Sequence, residues 1–274
     1  EYKKDNTKIF VDPNFHPTNK IDEAKFKDEK DLYRPAITWR RIDEVYQEPL
    51  FKKDLIHPLY IKQGSIGDCY FITALDRLAK KPELVQTLFE KELPDQIFNQ
   101  EKDQDPDSIN LKSGAVVIYF RVFGRRTPVL IDTLIPFNGS EPYFSRPINR
   151  NKSAWFCLVE KAFAKLNGSY TNIIGGLFSE SFYSLFGYYK KVLLFTPDIT
   201  KNTLKILQYQ YRGCLMDPAI STNDDAKTRA AERLNLVTGH SYLMMKVRKH
   251  DGKIFFQLRN PWGHKEWSGD FSKD

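Results

Sequence analysis

The sequence predicts an α+β protein with a helical first half and an antiparallel, strand-rich second half. Apolar side chains recur at helical spacing over residues 69–79 and 153–166. Later in the chain, the predicted strands 241–247 and 253–259 flank Asp251-Gly252, which is a strong signal for a two-residue hairpin turn. Helices that precede strands, instead of alternating with them, favour this fold class over a parallel α/β sheet.

The composition is typical of a folded protein with a mixed surface. The 274 residues suffice for one large domain or two modest ones. The net charge is +7, but the charged residues of both signs are interspersed and form no basic stripe, which argues against nucleic-acid binding. No apolar run in the sequence approaches the ~20 residues that span a bilayer. The cysteines, Cys69, Cys157 and Cys214, are too few and too widely spaced for a disulfide scaffold, so we expect a reducing, cytoplasmic location.

The chain is expected to begin with a polar segment, residues 1–60, that wraps the surface. A helix over 69–79 would follow Asp68 as its N-cap. A second helix would start at Pro82, because proline is favoured in the first turn. Its buried side chains would be Leu84, Val85, Leu88 and Phe89, and residues 100–107 would form a charged loop.

Two strands and the clearest helix come next. Residues 114–123 and 127–135 are predicted to be strands around Gly124-Arg125-Arg126. Residues 153–166 predict a helix that Ser153 caps and Gly168 ends. Its apolar face would consist of Trp155, Leu158, Val159, Ala162, Phe163 and Leu166.

Helical periodicity fades near Gly187, where we place the boundary between two subdomains, 61–187 and 188–274. In the second subdomain, residues 191–196 and 214–217 are predicted to be short strands that precede the hairpin.

Cys69 is the cysteine whose position best suits chemistry. It lies in the first turn of a predicted helix, where unpaired N–H groups and the helix dipole lower a thiol pKa. The flanking Gly64 and Gly67 indicate a tight loop that would leave the sulfur at a cleft. The alternative from position alone is a small buried side chain. Cys157, within a helix, and Cys214, within a strand, are interpreted as packing residues.

A cysteine nucleophile needs a base, and His240 lies near the open end of the predicted hairpin. If His250 pairs with Lys253, residue 243 lies opposite Asn260, and His240 is ~10 Å further along. A bulge would shorten that gap and let the amide orient the imidazole. The alternative is that both side chains cap loose backbone groups. His264, also close to Asn260, is a rival base.

Three motifs resemble those of the calpain family of cysteine proteases. Gln63-Gly64-Ser65-Ile66-Gly67-Asp68-Cys69-Tyr70-Phe71 resembles the segment around the nucleophile, and Gly239-His240-Ser241-Tyr242 resembles the histidine motif. Arg259-Asn260-Pro261-Trp262-Gly263 resembles the asparagine segment. Weaker similarities at 10–15, 39–41 and 160–168 follow the family's order and extend over nearly the whole chain.

The resemblance implies a papain-like fold of two subdomains with the active site in the cleft between them. Position by position, it makes Cys69 the nucleophile, His240 the general base and acid, and Asn260 the group that orients the imidazole. Gln63 would stabilise the oxyanion. Trp262 would shield the His–Asn hydrogen bond, with Gly67, Asp68 and Gly239 lining the site. The implied substrates are proteins, cut at few positions, and the implied partners include regulatory domains beyond this chain.

The chain departs from the family where the family binds two calcium ions that close the cleft. Tyr60 and Thr171 stand where the resemblance implies carboxylate ligands, which contribute much of the affinity for calcium. In the second subdomain, Glu266 matches a ligand, but Lys273 replaces an aspartate. We therefore expect a calcium dependence that is reduced or lost. The family core continues for several strands after Asp274, so we expect the second subdomain to be incomplete here.

The sequence leaves two other functions open. A catalytically silent module that binds protein partners would fit the missing calcium carboxylates. A transglutaminase also uses Cys and His, but such enzymes orient the His with Asp, and Asn260 argues against this. The presence of Cys69, His240, Asn260 and Gln63 together favours a cysteine endopeptidase that forms a thioester acyl-enzyme.

Overall fold

The computed structural model of the chain describes residues 9–15, 37–46, 56–57, 60–89, 111–148, 153–187 and 199–272. Helices and antiparallel strands are mixed in these ranges, which confirms the α+β class. The predicted loop 100–107 and most of the segment 1–60 lie outside the described residues. Among the described helices, none has the length and apolar character that a membrane crossing needs.

The described ranges contain seven α-helices and eleven strands. The helices are α1 (Ile42–Val45), α2 (Cys69–Leu78), α3 (Pro82–Thr87), α4 (Trp155–Leu166), α5 (Phe178–Phe186), α6 (Ile199–Tyr211) and α7 (Asp225–Glu232). The strands are β1 (Thr38–Arg41), β2 (Ile61–Lys62), β3 (Ala115–Val122), β4 (Arg125–Asp132), β5 (Leu134–Asn138), β6 (Glu141–Pro142), β7 (Arg146–Pro147), β8 (Ala219–Ile220), β9 (His240–Ser241), β10 (Leu243–His250) and β11 (Lys253–Arg259). They form the sheet β1-β5-β6 and the antiparallel pairs β2–β7, β3–β4, β8–β9 and β10–β11.

Helices α2 and α4 form the centre of the first core, and both are buried along most of their length. The rings of Phe71 and Phe163 stack there at a centroid distance of 4.0 Å. Asp68 and Ala154 occupy the N-cap positions, but neither side chain makes a capping hydrogen bond. The predicted capping roles of Asp68 and Ser153 are therefore wrong, because burial of the apolar faces holds these helices in place without caps.

The other predicted elements of the first half are present with shifted ends. α3 begins at Pro82, as predicted, and buries Val85 and Leu88. Strands β3 and β4 form an antiparallel pair, but their turn is Phe123-Gly124, one residue earlier than predicted. Both turn residues have positive φ, 49° and 76°, which suits a tight two-residue connection.

The second half contains the predicted hairpin, β10–β11. Its turn residues, Asp251 and Gly252, have φ of 47° and 75°, as a type I′ turn requires. A bulge between Met244 and Lys246 shifts the register, so that residue 243 lies opposite 259 and not opposite 260. Since the extra residue lies on the strand that leads back to His240, the bulge shortens the gap between residues 240 and 260.

The second half also contains two helices that the sequence did not predict, α6 and α7. α6 buries Thr203 and Ile206, and the Nε2 of Gln210 donates to the Val247 carbonyl of β10 at 2.8 Å. The spacing of these three α6 residues is helical, but polar side chains between them hide the pattern.

The strand predicted at 214–217 is wrong. Those residues form no regular structure, the next strand is β8, and Cys214 is exposed instead of packed. The strand predicted at 191–196 lies outside the described residues.

Buried apolar side chains form two clusters of unequal size. The larger extends from Phe15 to Leu185, and the smaller consists of Ile206, Met244 and Val247. α5 ends at Gly187, whose φ of 76° closes the helix. Because residues 188–198 are not described, the boundary near Gly187 and the subdomains 61–187 and 188–274 stay predictions.

Candidate active site

Cys69 is the first residue of α2 and follows a loop that packs closely on its neighbours. A Cβ on Gly64 would lie 1.8 Å from the Phe144 carbonyl oxygen, so only glycine fits this loop. The N–H of Ser65 donates to the Tyr143 carbonyl, and the N–H of Gly175 donates to the carbonyl of Gly67. The loop that delivers Cys69 is therefore held from two sides.

The Cys69 thiol is half-buried where the two halves of the chain meet. The backbone N–H groups of Ser241 and Tyr70 lie within hydrogen-bonding reach of its sulfur. Burial nevertheless raises the pKa of this thiol. The expectation that the helix start lowers this pKa is wrong, because desolvation outweighs the N–H groups. Ionisation of Cys69 therefore depends on a base that takes its proton.

His240 is adjacent to Ser241 in β9 and is almost fully buried. Its Nε2 lies 2.9 Å from Oδ1 of Asn260. The Nδ2 of Asn260 donates to the Lys265 carbonyl, so the amide presents its oxygen to the imidazole. Since an amide oxygen only accepts, Nε2 carries the proton in the neutral ring, and Nδ1 is the basic nitrogen.

The imidazole has an aromatic environment. The ring centroid of Trp262 lies 4.5 Å from that of His240, and the Tyr242 ring packs against it edge-on at 5.1 Å. Burial lowers the pKa of His240, and the hydrogen bond to Asn260 opposes this shift. The imidazole is therefore stabilised in its neutral form, as a general base must be before it accepts a proton.

Asn260 makes both kinds of contact that the hairpin spacing left open, one with the imidazole and one with the backbone. Its Oδ1 accepts from His240 and also from the backbone N–H of Trp262 at 3.0 Å. It therefore both orients the imidazole and caps the backbone. The rival base His264 is exposed, and its Nδ1 lies 3.0 Å from the Trp262 carbonyl oxygen. Of the two histidines, the structure brings His240 to the asparagine.

The other predicted site residues surround this group. Gln63 is buried, and its Nε2 donates to the Ile66 carbonyl at 2.7 Å, which uses one of its two N–H groups. Gly67 is exposed beside Cys69, and Gly239 has a φ of 65°, which suits the turn before His240. Asp68 is fully buried and points away from solvent.

Sequence reasoning missed the contacts that hold the two halves together beside the site. Arg259 Nη2 donates to the Ile61 carbonyl at 2.9 Å, and Nη1 lies 3.6 Å from the Asp76 carboxylate. The Gln63 N–H donates to the Pro261 carbonyl at 3.0 Å. Both chain neighbours of Asn260 are thus attached to the Cys69-bearing half. Backbone carbonyls have no sequence signature, so no pattern predicts such contacts.

The residues at the expected calcium positions differ in chemistry from the ligands that the family resemblance implies. Tyr60 and Thr171 offer a phenol and a hydroxyl, whereas calcium sites rely on carboxylates. The Oε1 of Glu266 accepts from the backbone N–H of Asn260 at 3.3 Å and so supports the asparagine segment. Among the described residues, no three His, Cys, Asp or Glu side chains converge as metal ligands. Lys273 lies outside the described residues.

Comparison with known proteins assigns nearly the whole chain to one family. The family described as "Calpain family cysteine protease" matches residues 10–274. The chain is 28% identical to mouse Calpain-5 in an alignment of 284 positions that covers 96% of this chain and 42% of that protein. It is 30% identical to human Calpain-14, over 87% of this chain and 33% of the relative. It is 27% identical to the Arabidopsis thaliana Calpain-type cysteine protease DEK1, over 97% of this chain and 12% of the relative. The chain thus spans less than half the length of these relatives.

Proposed function

The chain belongs to the calpain family of cysteine proteases, and from that premise we propose that it is an endopeptidase with Cys69 as its nucleophile. The observation that supports this most directly is the 2.9 Å contact between His240 Nε2 and Asn260 Oδ1. The next residue, Ser241, lies close enough to Cys69 for its N–H to lower the pKa of the thiol. A buried, neutral and oriented imidazole beside a cysteine is the arrangement that nucleophilic catalysis needs.

The proposed reaction starts when the Cys69 thiol transfers its proton to Nδ1 of His240. The thiolate attacks the peptide carbonyl carbon, and the carbonyl oxygen becomes an oxyanion. The Cys69 N–H and the free N–H of the Gln63 amide would donate to this oxygen. The imidazolium then protonates the leaving amine, and a thioester remains. His240 next takes a proton from water, and the resulting attack releases the acid and the thiol.

Asn260 and Trp262 support these steps without taking a proton. The amide oxygen of Asn260 holds the imidazole in the tautomer that leaves Nδ1 basic, and it stabilises the imidazolium. The Trp262 ring limits the access of water to this hydrogen bond, which strengthens it. Removal of Asn260 would therefore lower the rate without removing the nucleophile.

We propose intracellular, selective cutting of proteins as the setting of this activity. The family and the reducing compartment that three unpaired cysteines favour support this proposal. Substrates and regulatory partners of the longer relatives are not carried over, since the chain corresponds to less than half of each. A silent binding module is not favoured, because the His240–Asn260 pair has no role in simple binding. A transglutaminase is not favoured either, because the orienting group is Asn260 and not an Asp.

The chain contains its own controls for a labelling experiment with a peptide epoxide. Cys214 is exposed and lies in irregular structure, and Cys157 is buried. If Cys69 is an activated nucleophile, the epoxide should modify Cys69 well before Cys214, and Cys157 should not react in the folded protein. Modification sites would be read by mass spectrometry, alongside hydrolysis of a fluorogenic peptide.

Two variants define the outcome of this experiment. Cys69→Ala should abolish both labelling and hydrolysis, whereas Cys214→Ala should leave both unchanged. His240→Ala should reduce the labelling rate of Cys69 to that of an ordinary exposed thiol. Preferential labelling of Cys214 in the wild-type protein would contradict the proposal and favour a silent module.

A further inference from the structure

A second pair of titratable groups lies directly behind the nucleophile. Asp68, the residue before Cys69, is fully buried, and Glu160 of α4 is nearly so. Each carboxyl is close enough to act on the pKa of the other as a side-chain hydrogen-bonding neighbour. Neither oxygen of Asp68 accepts a hydrogen bond from another residue. Two carboxylates cannot hydrogen-bond to each other unless one of them carries a proton.

The donors around Glu160 determine which carboxyl carries that proton. The N–H of Ser145 donates to both oxygens of Glu160, at 3.0 and 3.1 Å, and the Ser145 hydroxyl donates at 2.8 Å. These hydrogen bonds lower the pKa of Glu160, although burial raises it overall, to about 7. Of the two carboxyls, Glu160 is therefore the better acceptor, and Asp68 is left as the proton donor. Burial first, and then the charge of Glu160, raise the pKa of Asp68 well above its usual range.

Other groups that face the pair add no positive charge. Tyr170, Cys157 and Tyr70 lie close enough to sense its field. Burial raises the pKa of each, the pair's negative charge raises it further, and all three are neutral at physiological pH. Cys69 follows Asp68 directly and is the remaining titratable neighbour. All of these neighbours are acids, phenols or thiols, and none of them is a cation. A proton on one carboxyl therefore removes the repulsion within the pair.

The pair links the helix of the nucleophile to the loop that precedes it. Ser145 follows Phe144, whose backbone touches Gly64, and the neighbouring Tyr143 carbonyl accepts from the N–H of Ser65. Glu160 thus anchors the loop through Ser145 and the start of α2 through Asp68. A shift of about 1 Å in a reacting group can cost a hundredfold in rate, so this anchor matters for catalysis.

We propose that Asp68 and Glu160 are positioning residues that share one proton, and that this protonated pair fixes the start of α2 and with it the sulfur of Cys69. The catalytic consequence rests on the proposed protease function, whereas the shared proton itself does not. Loss of the proton would place two negative charges in contact inside the core. The start of α2 would then move, and alkaline conditions would inactivate the enzyme before they unfold it.

Asp68→Asn keeps the hydrogen bond to Glu160 but removes the titratable proton, because the Asn amide donates to the Glu160 carboxylate and cannot titrate. It should retain most of the wild-type kcat/KM near neutrality and lose the pair's contribution to the alkaline fall in activity. Asp68→Ala removes the donor and should lower kcat/KM by about a hundredfold at every pH. The matched control is Asp224→Asn, at the exposed N-cap of α7, which should leave the pH profile unchanged.

Infrared spectroscopy tests the proton without reference to activity. A protonated carboxyl has a C=O stretch that carboxylates lack, so the wild-type spectrum near neutrality should contain this band. The buried Asp76 can contribute a similar band, so the decisive quantity is the difference between wild type and Asp68→Asn. A difference band with an inactive wild type would support the shared proton and overturn only the protease function.

The stability of the two proteins gives a second such readout. Both carboxyls have raised pKa values in the folded protein, so folding is favoured most below their unfolded values of 3.8 and 4.5. This contribution is lost as the pH rises through the folded pKa values. Stability of the wild type should therefore decline over this range more steeply than that of Asp68→Asn. Absence of the difference band, or identical alkaline limbs in an active wild type and Asp68→Asn, would overturn the proposal.

Discussion

The two halves of this chain support the candidate site in different ways. Cys69 projects from α2, which is embedded with α4 in the large cluster between Phe15 and Leu185. His240 and Asn260 lie at the open end of a hairpin whose own cluster has three buried side chains, Ile206, Met244 and Val247, with partly buried ones packed against them. One side of the site is thus fixed by its own core, and the other by few apolar contacts.

The second half, which has the smaller core, is positioned largely by contact with the first half. Arg259 and Pro261, on either side of Asn260, both bind the segment that leads to Cys69, through Ile61 and Gln63. Hydrogen bonds across this junction thus replace the packing that the second half lacks. The geometry between Cys69 and His240 should therefore respond to changes at the junction more than to changes inside either half.

The largest expected effect is on stability in the first half. Phe163→Ala removes a ring that stacks on Phe71 in a dense core and should lower the free energy of unfolding by about 3–5 kcal/mol. Met244→Ala is the matched truncation in the small cluster, and it should cost about 2 kcal/mol, near the low end for such changes. Urea unfolding followed by tryptophan fluorescence measures both. Equal losses would contradict the inequality of the two cores.

The same inequality explains which elements could be predicted from the sequence. α2 and α4 are buried so extensively that their apolar spacing is plain, and the Asp251-Gly252 turn depends on local backbone conformation alone. α6 escaped prediction because polar residues, the buried Thr203 and the half-buried Gln210, lie on its packed side and its apolar stripe is narrow. A half that buries few apolar side chains has only a weak hydrophobic periodicity in its sequence, so its helices are hard to predict.

In the candidate site, the residues with local motifs could be predicted, whereas those that act through distant partners could not. Cys69, His240 and Asn260 were found from local motifs and the family resemblance, and the bulge in β10 then brought the last two into contact. Glu160 and Arg259 could not be found in the same way. Their partners, Asp68 and Asp76, are distant in sequence, and a buried charge pair follows no spacing rule. Tertiary contacts of this kind require coordinates.

A smaller effect on stability, with a larger one on activity, is expected from Arg259→Met. The change removes a charged hydrogen bond to the Ile61 carbonyl, which is worth about 1.5–3 kcal/mol. It also removes the positive charge beside Asp76, whose pKa burial already raises well above its usual range. Asp76 can then take up a proton, which limits the cost of leaving it unpaired. The predicted result is a loss of kcat/KM beyond what the loss of stability explains.

Arg248→Met provides the control, because Arg248 is an exposed arginine on the partner strand of the same hairpin. It should change neither peptide hydrolysis nor urea unfolding by a measurable amount. If Arg259→Met unfolds the protein less than predicted and also retains full activity, the junction does not position the asparagine. The two halves would then be held by contacts elsewhere.

The smallest expected effect is that of calcium on the wild-type protein. The resemblance implies that calcium closes the cleft in the family, whereas here Tyr60 and Thr171 occupy positions that would need carboxylates. Arg259 and Pro261 join the halves through hydrogen bonds of the chain itself. We therefore expect the rate of peptide hydrolysis to be the same in calcium and in a chelator.

The double variant Tyr60→Asp, Thr171→Glu sharpens this prediction. It restores the two carboxylates in the first half and leaves the junction untouched, so it should gain calcium binding, measured by calorimetry. Its hydrolysis rate should change little, because the hydrogen bonds of the junction already join the two halves. A strict calcium requirement of the wild-type protein would show instead that these contacts cannot hold His240 and Asn260 against Cys69. The second half would then need a ligand to compensate for its small core.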